Sequence, residues 1–432
     1  MKRVVAKVLG LLTFSLGIST PAFADWTRTY VMSWYEQALY YGAKGGVGEP
    51  GTDCPKGSNP EPNWIKVLTD AGYSEQEARW IRDPSHPFRI PSHGQNQMAF
   101  RGKDRANVYT QPWLTPDPGL TGVTGNIGEG LDLDGDPKTG FVSPDGERGI
   151  DNQFYRTVGC WKSLRGPPRR STSAETRNDE MREGLWTVVI VVAGEGDDPM
   201  NDPSVKVGLY DSGDKLVKDA LGEVARGYTF RIGPHAKFEA IFDARTVNGT
   251  IETTAPSEEI WMWDPSYARE LQLLKARLRL TMESNGSLTG VVAGYRPWMQ
   301  FYQAMLEARA QVIEQNGWIE LPGLWYAFRR NADYSPTGPG GEKTHISYAL
   351  RIEAIPAYVM TPDAKTQVAS VASYKAIAPP APPPLHAFIT NKFNVVDGLV
   401  PDPKTGVILA GPNVEIPPPA TQVSSLGASS RQ

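Results

Sequence analysis

From Asn107 to Met360 the chain is broken into short β-rich runs, and this pattern limits the possible folds more than any other feature. In the clearest run, Ala276, Leu278, Leu280 and Met282 alternate with Arg277, Arg279, Thr281 and Glu283. A period of two puts one set on a buried face and the other in water, as on a half-buried strand. Leu185 to Gly194 (LWTVVIVVAG) is almost wholly apolar and of strand length, and SVKVGLY, YTFRI and KFEAIFDA follow, parted by Gly, Asp and Pro. Asn248-Gly249 and Asn285-Gly286 each lie between β-rich arms. Asn-Gly tolerates the positive φ angles of a type I′ turn, so both predict tight hairpins. HISYALRIEAIPAYVM closes the series as strand. Such a succession predicts a mainly β fold, a β-sandwich or jelly-roll core with helical insertions.

Two helices are signalled. YSEQEARWIRD carries a capping box, Ser74 with Glu77 three residues on. Trp298, Phe301, Met305, Ala308 and Val312 recur at helical spacing, which predicts a helix over 297–315 with Pro297 in its first turn and Gly317 as its stop. The expected organisation is a signal peptide at 1–24, loops and short helices over 25–106, one β core over 107–370, and a tail at 371–432. The tail runs through APPAPPPLHAF to EIPPPATQVSSLGASSRQ, which is too poor in apolar residues for a core and predicts extended, disordered chain.

The compartment reads from the first residues and the cysteines. Lys2, Arg3 and Lys7 precede an apolar stretch from Val8 to Ile18, and Ala22-Phe23-Ala24 is a cleavage site before Asp25. The apolar stretch falls short of the roughly 20 residues that span a bilayer, so export to the periplasm or beyond is expected, with no transmembrane anchor left after processing. Loss of those three cations takes the formal charge from −4 to −7, which disfavours nucleic acid or anionic membrane as partner. Cys54 and Cys160 are the two cysteines. In an oxidising compartment they predict a disulfide. The absence of CxxCH excludes covalently attached c-type haem.

GLDLDGDPKTGFVSPDGERGIDNQF, from Gly130 to Phe154, gathers five aspartates and five glycines. Asp132, Asp134 and Asp136 are spaced so that a tight loop turns all three carboxylates to one point, and Gly135 permits the dihedrals this needs. Hard oxygen donors suit Ca²⁺, which would cancel their repulsion; Asp145, Asp151 and Asn152 are candidates to complete the shell. The loop is no EF-hand, since counting from Asp132 the sixth position is Pro137 and the twelfth Ser143. A plain Asp/Gly turn with side chains capping backbone N–H groups is the competing reading. A second acidic turn, GEGDDPMNDP with Glu195, Asp197, Asp198 and Asp202, reads as an ordinary turn.

No catalytic constellation stands out. His86 and His93 share one polar loop near Ser85 and Ser92, and are the weak candidates for a general base. His235 and His345 open strands and read as structural; HExxH and GxSxG are absent. Arg165 to Arg177 (RGPPRRSTSAETR) is a basic cluster that reads as a solvated loop, and the twelve tryptophans read mainly as core, with stacking on sugar rings as the alternative.

The acidic loop, with DCPKGSNP before it and GYRPW and FRRNADYSPTGPGGEKTHISYALRIEAIPAYV after it, resembles a family of uncharacterised exported bacterial proteins. The resemblance covers most of Asp25 to Met360 and implies an envelope location and a single architectural unit, with no activity attached. The expectation from the whole is an exported, calcium-stabilised, non-catalytic binder of carbohydrate, an envelope component or a protein partner. The alternative is an exported hydrolase of a polymer or ester with His86 or His93 as base.

Overall fold

The structure, a computed structural model, describes residues 26–43, 49–83, 98–99, 101–102, 106–264, 269–307, 313–314, 317–361, 399–401 and 408–410. The expected signal peptide, most of the Pro-rich tail, and His86, His93 and His386 lie outside them. In chain order the elements are β1 (Trp26–Gln37), α1 (Trp64–Asp70), α2 (Glu75–Arg82), β2 (Phe141–Val142), β3 (Arg148–Ile150), α3 (Gln153–Val158) and α4 (Thr172–Arg182). There follow β4 (Val188–Gly194), β5 (Val205–Asp211), β6 (Thr229–Arg231), β7 (Ala240–Val247), β8 (Thr250–Thr253), β9 (Ser257–Asp264), β10 (Arg269–Met282) and β11 (Leu288–Pro297). Helices α5 (Trp298–Glu307) and α6 (Leu321–Asn331) precede β12 (His345–Pro356) and β13 (Tyr358–Met360). Within the tail, β14 (Leu399–Pro401) pairs with β15 (Ile408–Ala410).

The fold is mainly β. Strand neighbours run β1-β4-β5-β7-β8-β10-β11-β12 in chain order, and β12 pairs back onto β1, so eight antiparallel strands form one barrel-like sheet. Strand β9 adds along the first half of β10. This is a single curved meander where two facing sheets, as a sandwich or jelly roll, were expected. Alternation shows which side of a strand is buried, but a second sheet and the far wall of the same sheet bury it equally well. Leu278, Leu280, Val292, Leu350 and Ile352 line the inner side and belong to one core cluster that extends from Tyr30 to Val359. Strand β4 is buried along its whole length. Strand β13, which pairs in parallel with β6, packs against it and adds Val359 to the same core.

The N-terminal region, expected as loops and short helices, also supplies a barrel strand. Strand β4 covers β1 only from Trp26 to Val31. Beyond a bulge between Met32 and Trp34 the exposed edge of β1 is met by α4 instead. There the Tyr35 N–H donates to Asn178 Oδ1 (2.9 Å) and Asn178 Nδ2 donates to the Tyr35 carbonyl (2.7 Å). A fully buried side-chain amide thus stands in for the missing strand, satisfying peptide groups that burial would otherwise leave costly. Helices α3, α5 and α6 pack together on the core around Phe154, with Tyr348 of β12 edge-on to it at 4.7 Å. The expected disulfide joins Cys54 and Cys160. Among the described residues no helix is long and apolar enough to cross a membrane.

Both Asn-Gly hairpins form, in different ways. Asn248 (φ 49°) and Gly249 (φ 80°) take the two positive angles of the expected tight turn. At the other, only Gly286 is positive (φ 80°), and Glu283 N donates to Ser287 O across a wider loop. Asn285 Oδ1 accepts from Ser287 N (2.8 Å), a local bond that holds this residue out of the left-handed region.

Candidate metal centre

The acidic loop lies on the outer side of β10, β11 and β12. Leu131 and Leu133 pack with Ala293, Tyr295 and Ala349 in a small cluster of their own, while the intervening residues Val292, Tyr348 and Leu350 face the main core. Two ion pairs hook the loop down: Glu129 to Arg351 Nε (2.5 Å), and Glu147 to Arg279, bidentate, with Nη2 to Oε1 at 2.9 Å. Strands β2 and β3 form a short hairpin, with Glu147 in its turn. At Gly140 (φ 69°) the chain passes so close to β3 that a Cβ would lie 2.2 Å from the Ile150 carbonyl oxygen. Any other residue would prise the turn off its partner.

Asp132, Asp134 and Asp151 come together here, each offering a carboxylate oxygen within 4.8 Å of the others. All three also cap backbone, so the metal-ligand and turn-former readings describe the same side chains. Asp151 Oδ2 accepts from Leu133 N (2.8 Å) and Asp134 N (3.1 Å). Asp132 Oδ1 accepts from Gly135 N (2.6 Å), and the two oxygens of Asp134 accept from Asp136 N (2.7 Å) and Thr139 Oγ1 (3.0 Å).

Three other residues considered for the shell are not in this group. Asp136 is exposed and accepts from Lys138 N. Asp145 is bonded to the Ser143 hydroxyl at the hairpin tip, which holds its carboxyl below the usual range. Asn152 is fully buried; its oxygen caps α3 through Tyr155 N (3.0 Å) and its amide donates to the carbonyls of Ala38 and Glu129. Sequence spacing could not separate these roles, because each side chain's direction is set by the backbone bond it makes.

The electrostatics are unfavourable as they stand. Burial above all, with the nearby Asp134 and Asp333 adding to it, pushes the Asp151 carboxyl up to about 7. No lysine or arginine pairs with Asp132, Asp134 or Asp151 among the described residues, so the donor set is hard, anionic and lacks a counter-cation, which fits Ca²⁺.

Asp333, which sequence reasoning did not single out, lies beside this group. It accepts from Ser347 N (2.7 Å) and Ser347 Oγ (2.6 Å), and Ser347 Oγ in turn accepts from Gln153 N (2.8 Å) at the start of α3. Burial first of all lifts its carboxyl to about 6, above an unfolded value of 3.8. A raised acid favours the fold while protonated, so its contribution is complete below about pH 4 and is lost as pH rises through about 6. In EGTA, wild type is therefore expected to lose about 2–3 kcal/mol more stability than Asp333→Asn between those limits. Urea melts of both proteins across that range measure the difference, and parallel curves would refute it.

The remaining candidates gather no comparable chemistry. His235 Nδ1 lies 2.7 Å from Asp211 Oδ2, and His345 Nδ1 lies 2.9 Å from Thr344 Oγ1. The cavity beside Asp211 measures about 10 Å³, room for no more than a water. In the second acidic turn Asp202 accepts from Trp26 Nε1, Gly196 N and Ser204 N, as a turn former does. Arg165, read as part of a solvated loop, is buried and bidentate to Asp53 beside the disulfide. No protein-family model, no curated protein and no solved structure matches the chain.

Proposed function

We propose that the chain is an exported, non-catalytic binding protein whose acidic loop is ordered by Ca²⁺ held through Asp132, Asp134 and Asp151. The observation that carries this is the convergence of three carboxylates within 4.8 Å, with no lysine or arginine paired to them among the described residues. When bound, Ca²⁺ would supply that missing charge and fix the loop as one wall of a surface groove on the barrel. The disulfide supports an oxidising location, periplasmic or extracellular. A carbohydrate, an envelope component or a protein partner is the ligand class in view.

Thermal melts of the mature protein in excess Ca²⁺ and in EGTA test the reading. At a hundredfold excess over the dissociation constant Ca²⁺ is expected to add about 2.7 kcal/mol. Asp134→Ala is the informative variant, because Asp134 is exposed and its loss spares the core. The calcium increment should vanish in it, whatever its own melting point. Equal increments in both proteins, or none in either, would reject the site.

A further inference from the structure

Below the acidic loop runs a groove of about 290 Å³, lined by Leu131, Asp132 and Gly135 on one side and by Glu252, Arg277 and Arg279 on the other. Its charges are unequally engaged. Arg279 is taken by Glu147 and by Glu252 (Nε to Oε1, 2.9 Å), so those two carboxylates and this guanidinium satisfy one another. Arg277 has no hydrogen-bond or ion-pair partner among the described residues, and its Nε is buried without an acceptor. Native proteins rarely leave a buried donor unpaired unless something else meets it. Across the groove Asp132 is likewise paired with no lysine or arginine among the described residues. Yet no ion pair joins Asp132 to Arg277.

The backbone singles out the same place. Strand β10 bulges between Leu274 and Arg277 as it pairs with β11. Lys275 within the bulge takes a left-handed φ of 51°, a strained conformation for a residue with a side chain. Bulges re-aim the side chains that follow them. Arg277 is the first residue to resume the ladder, opposite Ala293.

We infer that this groove is a binding site for a small ligand bearing an oxyanion, a carboxylate or phosphate, gripped by the Arg277 guanidinium. The planar guanidinium fork matches such groups in bidentate fashion. The volume is at the lower end for ligand sites and accommodates a single sugar-sized group. Its calcium dependence rests on the proposed loop function: with Ca²⁺ on Asp132, Asp134 and Asp151 the loop wall ceases to repel an anion, and without it Asp132 opposes binding.

Calorimetric titration with glucuronate, glucose 6-phosphate and glucose, each in Ca²⁺ and in EGTA, tests the site on wild type and Arg277→Gln. One or both acidic probes are expected to bind wild type in Ca²⁺, with glucose silent, and the preference between them assigns carboxylate or phosphate. Arg277→Gln should bind at least about tenfold more weakly, the loss of a charge-assisted bidentate contact. It should melt like wild type, since the arginine has no partner to lose. No binding by either acid, or equal binding by the variant, overturns the inference. Arginine-dependent binding that is indifferent to calcium, in a protein whose melting Ca²⁺ does not raise, would uphold the anion site and reject the calcium reading. A calcium-stabilised protein that binds neither acid would do the reverse.

Discussion

Phe154→Ala is expected to destabilise the protein by about 3–5 kcal/mol, among the largest effects of any single substitution. The ring is fully buried at the start of α3, edge-on to Phe301 of α5 (4.9 Å) and Tyr348 of β12 (4.7 Å), and 5.8 Å from Phe328 of α6. Those three partners are themselves fully buried, so the structure cannot easily collapse into the vacated space. The cost is then the lost transfer energy plus the cavity, the upper part of the range for such truncations. Phe154→Leu keeps most of the volume and should cost less than half as much. The loss also bears on the candidate metal centre: Asp151 and the α3 cap, Asn152, immediately precede the helix that Phe154 anchors. Urea unfolding of the two variants gives the comparison. A change under about 1 kcal/mol for Phe154→Ala would mean that the helices do not share this packing centre.

Elements whose signal is local were legible. The Ser74–Glu77 capping box forms as read, with Ser74 Oγ accepting from Glu77 N and Glu77 Oε2 accepting from Ser74 N. The alternation of β10 and the apolar run of β4 placed both strands correctly. Strand β1 was missed because the bulge between Met32 and Trp34 shifts its phase midway, so no single period runs through it. Helix α6 was not read from the sequence; Pro322 and Gly323 lie in its first turn, where a proline costs nothing. Helix α4 hides its inner face differently: Ala174, Asn178 and Met181 are the buried positions, and a polar residue breaks the apolar stripe. Asn178 is there for the Tyr35 peptide groups, a need invisible until the sheet is assembled.

The candidate site divides in the same way. Spacing placed Asp132 and Asp134 together, and Asp151 was named with them. That Asp136 and Asn152 would be spent on backbone bonds follows from turn geometry, which spacing does not encode. The alternation put Arg277 on the wet face of β10, but its lack of a partner is a tertiary fact. The sandwich expectation failed for a related reason, since closure of the sheet depends on β12 returning to β1 over more than three hundred residues.

The second large effect is expected from the disulfide. Cys54→Ala/Cys160→Ala should lower the stability of unfolding by about 3–5 kcal/mol, because the bond closes a loop with a sequence separation of 106. For loops near that length the chain-entropy model gives about 4.7 kcal/mol. Both sulfurs belong to buried residues, so alanine is the right replacement: serine would add a buried hydroxyl and confuse the reading. Contacts beside the bond survive its loss, notably Arg165 on Asp53 and the Asn59 N–H on the Cys160 carbonyl (2.8 Å), and these hold the native geometry while the denatured chain gains freedom. The effect should therefore appear as a lower urea midpoint with an equal or steeper denaturant slope, the denatured state being more open. A loss under about 1 kcal/mol would show that the tie adds little to those contacts. The acidic loop lies within the closed segment, yet its anchors, Glu129 on Arg351 and Glu147 on Arg279, are made to barrel strands outside it. The proposed stabilisation by Ca²⁺ should accordingly be the same in the cysteine-free protein as in wild type. If it fell with the disulfide, the covalent tie rather than the barrel would be what holds the aspartates together.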